Sequence, residues 1–314
     1  MNEKTRIQIE EMKRQTIGVE VEMNNITREN AARIAADYFG TGRYKYTADR
    51  NGYYTWSAWD TEGREWKFQK DVSIAGVDSE KCELVTPILT YADIPTLQEL
   101  IRKLRKAGAK SDYTRGCGVH IHIGANGHTP QTLRNLANLM ASHEDLLIDA
   151  INIAESRTRQ YCRTVDRRFL EKLNKSKPRT MAQLADIWYG GNGANYGRTH
   201  HYNESRYHQL NYHSVFTKGT IEFRLFQFEA PANGKRNGLH AGQLKAYIQL
   251  CLALSQMAKE LKTASPKQNQ RENPRFAMRT WLLRLGFIGE EFATAREVLT
   301  KRLDGDSAFR FGRA

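Results

Sequence analysis

Apolar and polar residues alternate along three separate stretches of the chain, and each alternation predicts a β-strand with one face buried. Gly219 to Phe226 (GTIEFRLF) points Ile221, Phe223 and Leu225 one way and Thr220, Glu222, Arg224 and Phe226 the other. Gly18 to Met23 (GVEVEM) sets Glu20 and Glu22 against Val19 and Val21, and Gly118 to Gly124 (GVHIHIG) sets His120 and His122 against Val119, Ile121 and Ile123. Each strand therefore carries an ionisable pair two residues apart, about 7 Å along one face. A single such pair is the ordinary pattern of an edge strand or a half-solvated hairpin. Three of them imply a sheet with an oily face against helices and a working face of Glu, His and Arg, a mixture suited to metal ions and phosphate.

Helical periodicity fills most of the remaining chain. Residues 28–39 form a helix with Thr27 as N-cap and Gly40 as its stop. Residues 94–107 repeat Ile94, Leu97, Ile101 and Leu104, and Thr129 with Pro130 opens a helix running to about Glu155. Residues 156–189 read as basic and helical with a break at Pro178, 237–261 as one long helix, and 275–285 and 291–303 as C-terminal helices after a polar linker. Between these elements, 44–60 is rich in β-formers and 61–64 is a turn. Residues 66–74 read as a hairpin return with Lys67, Gln69 and Asp71 on one face, and 82–89 as a short strand ended by Pro87. Residues 190–203 are loop by composition, 204–215 alternate as a strand pairing with 219–228, and 1–15 read as a charged arm. The fold class expected is α+β: a curved, mainly antiparallel sheet of about six strands with helices on one face and a helical C-terminal tail. The expected domains are 1–262, with a helical insertion at about 128–190, and a packed extension over 263–314.

Composition narrows this picture. The 314 residues are 40% hydrophobic and 10% aromatic, enough for a sizeable core. No run of 18 apolar residues occurs, which predicts no membrane partner, and the first 15 residues lack the apolar stretch of a Sec-type leader. Cys82, Cys117, Cys162 and Cys251 are scattered without a CxxC, which fits a reducing cytoplasm and argues against a zinc knuckle or disulfide scaffold. The net charge of +13 favours anionic partners, yet no dense Lys/Arg run marks a nucleic-acid tail, so nucleic acid is an open partner rather than the expected one. His128, His143, His208, His213 and His240 read as surface or helix histidines, and Trp56, Trp59 and Trp66 as packing residues.

Taken in order, GVEVEM, CELVTPIL, GVHIHIG, RYHQLN and GTIEFRLF resemble the amidoligases of the glutamine synthetase and glutamate–cysteine ligase superfamily, over roughly residues 16 to 260. The resemblance implies a glutamine synthetase-like catalytic fold and an ATP- and Mg²⁺- (or Mn²⁺-) dependent ligase that joins a carboxylate to an amine through an acyl phosphate. It implies metal ligation by Glu20, Glu22, Glu83, His120 and Glu222, and nucleotide contacts from His122, Arg224, Tyr207 and Asn211. It also places Lys70 and Asp71 near the substrate, with Arg224 acting on the transferred phosphoryl group. The chain lacks the additional N-terminal domain of glutamine synthetase, so that enzyme's intersubunit site is not implied. The substrates expected are a carboxylate and an amine, with a peptide or anionic polymer among the candidates. Two other classes use the same residues. A metal-dependent hydrolase would activate water at the Glu/His cluster, and a basic nucleic-acid-binding protein would account for the charge alone.

Overall fold

In the computed structural model, residues 2–47, 52–191, 197–200, 202–230, 238–268 and 272–311 are described. The contacts divide the chain into two compact units. A strand-rich unit comprises Thr16–Ile121 and Phe226–Lys245, and a helix-rich unit comprises Met1–Gln15, His122–Leu225 and Ala246–Ala314.

The strand-rich unit contains β1 (Ile17–Met23), α2 (Arg28–Phe39), β2 (Tyr44–Tyr46), β3 (Trp56–Trp59), β4 (Glu65–Gln69), β5 (Cys82–Val85), α3 (Ile94–Lys106) and the opening half of β6 (Val119–Gly124). Its strands lie in the order β2-β3-β4-β5-β1-β6, with antiparallel pairing from β2 through to β1. The register aligns Val21, Leu84 and Phe68 across β1, β5 and β4 on one face, and Glu22, Glu83 and Gln69 on the other. The apolar row is fully enclosed. Helix α2 covers it with Ala31, Ala32, Ala35 and Ala36, whose small side chains admit the bulky Trp66 and Phe68 beneath, and Phe39 meets Trp66 at 5.0 Å. Thr27 caps α2 by accepting from the Asn30 N–H, and Gly40 ends it at φ 73°, both as the sequence predicts. Helix α3 adds Leu97, Leu100, Ile101 and Leu104 to the same core.

The helix-rich unit holds α1 (Glu3–Lys13), the second half of β6, α4 (Pro130–Ile151), α5 (Glu155–Gln160), α6 (Arg167–Ser176), α7 (Met181–Gly191), β7 (Leu210–Asn211), α8 (His213–Thr217) and β8 (Thr220–Phe226, Phe226 excepted). It also holds most of α9 (Ala241–Glu260), then α10 (Pro274–Arg284) and α11 (Ala293–Thr300). Its strands continue β6-β8-β7, with β7 and β8 antiparallel. Helix α4 is buried nearly all round. Two of its interior carboxamides reach across to the following chain: Asn135 donates to the Leu261 carbonyl at 2.7 Å and Asn138 to the Ala264 carbonyl at 2.8 Å, tying down the segment after α9.

Several expectations are corrected. Eight strands are described rather than about six, because β2 and β3 are short strands within the aromatic stretch 44–60. The first 15 residues contain helix α1, fastened through Gln8, Ile9 and Met12, instead of an arm. Residues 204–215 are not one strand: β7 is confined to 210–211, beside a single bridge from His208 to Arg163, and α8 begins at His213, whose N–H the Asn211 carboxamide accepts at 2.8 Å. The histidines His208 and His213 are buried rather than superficial. His208 meets the Thr164 carbonyl at 2.7 Å, and His213 lies between the Tyr189 hydroxyl and the His200 carbonyl at 2.7 and 2.9 Å. The 190–203 loop lies partly outside the described residues. Among the described residues no helix is long and apolar enough to cross a membrane.

Helix α4 also carries Glu144, which accepts from the Val165 N–H at 3.0 Å and from Arg167 at 2.8 Å. Burial pushes its carboxyl up to about 7, against the pull of those two donors. The unfolded chain ionises this group near 4.5, so between about 4.5 and 7 the folded state binds more protons and stability falls as pH rises. Glu144→Gln is expected to flatten that decline. Urea unfolding at pH 5 and pH 8 measures it, and an unchanged pH difference would rule out the assignment.

Candidate metal and phosphate sites

The polar face of the strand-rich unit collects carboxylates. Ligand atoms of Glu20, Glu83 and His120 all lie within 4.8 Å of one another, as do those of Glu22, Asp71 and Glu83. His120 Nδ1 is 3.0 Å from Glu20 Oε2, and its Nε2 is 3.8 Å from Glu22 Oε1. Glu22 accepts from the Gly118 N–H at 2.6 Å, and Glu83 from the Gln69 carboxamide at 2.8 Å. Glu22, Glu83 and His120 are each less than a tenth exposed. Burial first, and then the charges of Glu20, Glu22 and Asp71, raise the Glu83 carboxyl well above its ordinary range. Two like charges this close repel by roughly 3 kcal/mol even at an effective dielectric of about 20. Four carboxylates packed so closely are the donor set that a hard divalent cation neutralises, with one imidazole tolerated beside them.

Local structure explains how these groups meet. Glu20 and Glu22 share a face through the two-residue period of β1, and Glu83 stands directly opposite Glu22. Strand β4 stops at Gln69, and Asp71 then accepts from the N–H and hydroxyl of Ser73 in a tight turn. Gly116 (φ 68°) lets the chain before β6 pass this turn, since a Cβ there would come within 2.6 Å of the Ser73 carbonyl. Lys70 leaves the ladder at the same turn. Its ammonium reaches Asp78 at 2.5 Å and lies over the Tyr54 ring, so it does not share the Glu83 row. Cys117 is fully enclosed and burial raises its thiol, in keeping with a small apolar role.

The helix-rich unit has a second polar cluster. Arg224 hydrogen-bonds Glu222 on β8, and Asn211 donates to the other Glu222 oxygen at 2.6 Å. The Arg224 guanidinium carbon stands 5.9 Å from the Tyr207 ring centroid. His122 Nδ1 is 2.9 Å from the Thr220 hydroxyl, which is 2.7 Å from the Ser214 hydroxyl, while His122 Nε2 is 3.9 Å from Glu222. Arg157 donates to the Arg224 carbonyl at 3.3 Å. The structure thus brings His122, Tyr207, Asn211, Glu222 and Arg224 into one group. A guanidinium held by a carboxylate and backed by a ring is a fixed oxyanion contact.

Sequence reasoning missed three participants. Gln69 was legible from the alternation of 67–71, and Thr220 from that of β8. Ser214 had no signal, because its segment reads as a strand and folds as a helix.

A model of the family described as "Putative amidoligase enzyme" matches residues 13–255. The chain belongs to this amidoligase family. Membership supports a ligase-type enzyme that forms carbon–nitrogen bonds, and both polar clusters fall on matched residues. No curated protein matches this amidoligase. Among solved structures it is similar to a bifunctional glutathione synthetase from Pasteurella multocida, at 12% identity and a TM-score of 0.46, over 96% of this chain and 49% of that one. The amidoligase chain therefore spans about half the length of that enzyme.

Proposed function

We propose that this amidoligase is an ATP- and Mg²⁺-dependent carboxylate–amine ligase working through an acyl phosphate, on a glutamine synthetase-like catalytic fold. The observation that carries the reading is the enclosed Glu20, Glu83 and His120 cluster, with Glu22 and Asp71 beside it. Its oxygen-rich composition favours Mg²⁺ or Mn²⁺ over the nitrogen and sulfur sets that zinc hydrolases use. When bound, the cation supplies charge neutralisation for transferring phosphoryl oxygens.

In this reading Glu20, Glu22, Glu83 and His120 hold the cation, and Glu222 contributes a further carboxylate. Arg224 neutralises the phosphoryl group as charge develops on it, held in position by Glu222 and Tyr207. His122, fixed by Thr220, adds a second phosphate contact. Asn211 keeps Glu222 oriented through its 2.6 Å hydrogen bond. Asp71 accepts a proton from the incoming amine, and Lys70 acts from the edge of the site as a substrate contact. Phosphoryl transfer needs positioning and charge neutralisation rather than a protein nucleophile, and these residues supply both.

The reading is tested by coupled ADP-release assays on purified protein with Mg·ATP, pooled carboxylic acids and pooled amines. Release that needs acid, amine and Mg²⁺ together is the expected result. Equal release with either substrate pool omitted, or none under any combination, contradicts it.

A further inference from the structure

Gln209 precedes β7 in the helix-rich unit and has no part in the roles assigned above. It is 0% exposed, and neither its Nε2 nor its Oε1 has a hydrogen-bond partner among the described residues. Burying a carboxamide with both ends unmatched is costly, and packing alone gives no reason to keep one. The register puts it in a specific place. Leu210 pairs with Phe223 and Asn211 with Glu222, so Gln209 stands opposite Arg224, whose N–H donates to the Gln209 carbonyl at 2.8 Å. The alternation along 209–211 turns its side chain to the face on which Asn211 meets Glu222. Asn211 spends its own carboxamide on Glu222 and on the His213 N–H; Gln209 has no such use. Arg224 is 5% exposed and Glu222 2%, so whatever admits a phosphoryl group to Arg224 also brings it beside Gln209.

We propose that Gln209 is the residue that binds the amine nucleophile, an inference that rests on the ligase reading. Its Oε1 accepts from the amine N–H, and its Nε2 donates to the oxygen that Arg224 also contacts. A neutral acceptor suits this task. A carboxylate would hold the amine as its ammonium ion, which has no lone pair, whereas a carboxamide orients the free amine without favouring its protonation. The amine nitrogen attacks the acyl carbon and the C–N bond forms. The C–O bond to phosphate breaks with its electron pair going to phosphate, and the proton released from nitrogen passes through Asp71, the acceptor in the ligase reading, to that phosphate.

The test uses the full chain with Mg·ATP, an acid pool of amino acids and short peptides, and hydroxylamine as the amine. Wild type is compared with Gln209→Met, a change of similar volume that removes only the polar ends. The variant is expected to raise KM for hydroxylamine about tenfold, the loss of roughly one hydrogen bond, with KM for ATP within twofold. Its Tm is expected to rise by about 2–4 °C, because the unmatched amide is gone. An unchanged hydroxylamine KM overturns the inference and leaves the ligase reading standing. A lowered Tm with all kinetic parameters falling together assigns Gln209 to packing and also overturns it. Absence of any Mg·ATP-dependent turnover in wild type sinks the ligase reading, and this inference with it.

Discussion

Arg224→Lys is expected to lower ADP release by about 10²–10³-fold while Tm stays close to wild type. Glu222 is enclosed and pairs with the Arg224 guanidinium, which stands 5.9 Å from the Tyr207 ring centroid. Lysine keeps a positive charge beside Glu222, so the fold retains its pair, but it loses the planar fork that in the ligase reading grips two phosphoryl oxygens, and the face presented to the ring. Arg224→Ala removes the charge as well and leaves a carboxylate, 2% exposed, without its guanidinium, a change that costs about 3–5 kcal/mol in comparable buried pairs. Steady-state ADP release and thermal melts on both variants separate the two effects. Release by Arg224→Lys within threefold of wild type would remove the guanidinium from the chemistry.

Magnesium is expected to raise the Tm of the wild-type protein by about 5–10 °C at a concentration a hundredfold above its Kd, from roughly 2.7 kcal/mol of linkage. Glu20, Glu83 and His120 present ligand atoms within 4.8 Å of one another, and Glu22 and Asp71 crowd the same Glu83. Without a cation the crowding opposes folding, and it adds to burial, the larger cause, in raising the Glu83 carboxyl. Glu83→Gln therefore has two expected consequences of opposite sign. The metal-free variant melts higher than wild type, because one repelling carboxylate is gone. It also loses most of the magnesium response, because the cation loses an oxygen donor of full charge. Differential scanning fluorimetry with and without MgCl₂ measures both. A full magnesium shift in Glu83→Gln, or none in wild type, would contradict the assignment of these carboxylates.

The parts of the site legible in the sequence are those set by a two-residue period. VEVE, HIHI and IEFRL carry their own facing, because alternation on a strand is local and needs no knowledge of the partner. For the same reason Gln69 could be placed on the Lys67 face before any pairing was known. What the sequence did not disclose depended on where pairing stops. The ladder ends at Gln69 because Asp71 turns the chain through Ser73, and that releases Lys70 to Asp78. Residues 204–215 alternate in polarity, yet the Asn211 carboxamide caps the next turn and starts a helix, which carries Ser214 to Thr220. Helix α1 hides behind its charge. Its exposed surface is laced by Glu3–Arg6 and Glu11–Arg14 pairs, and only Gln8, Ile9 and Met12 are buried, too narrow a stripe to stand out. The burial of His208 and His213 was invisible for a similar reason, since their partners lie on distant carbonyls and a tyrosine hydroxyl.

The central claim is that a substrate carboxylate is activated by phosphoryl transfer before the amine attacks. It is tested most directly by following oxygen. An acid pool labelled with ¹⁸O in its carboxyl groups is turned over with Mg·ATP and amine, and the released phosphate is analysed by mass spectrometry. The ligase reading predicts one ¹⁸O in each phosphate formed, carried across when the acyl phosphate is cleaved. Phosphate that forms at the same rate with no label would mean that water, not a carboxylate, receives the phosphoryl group, and would contradict the account.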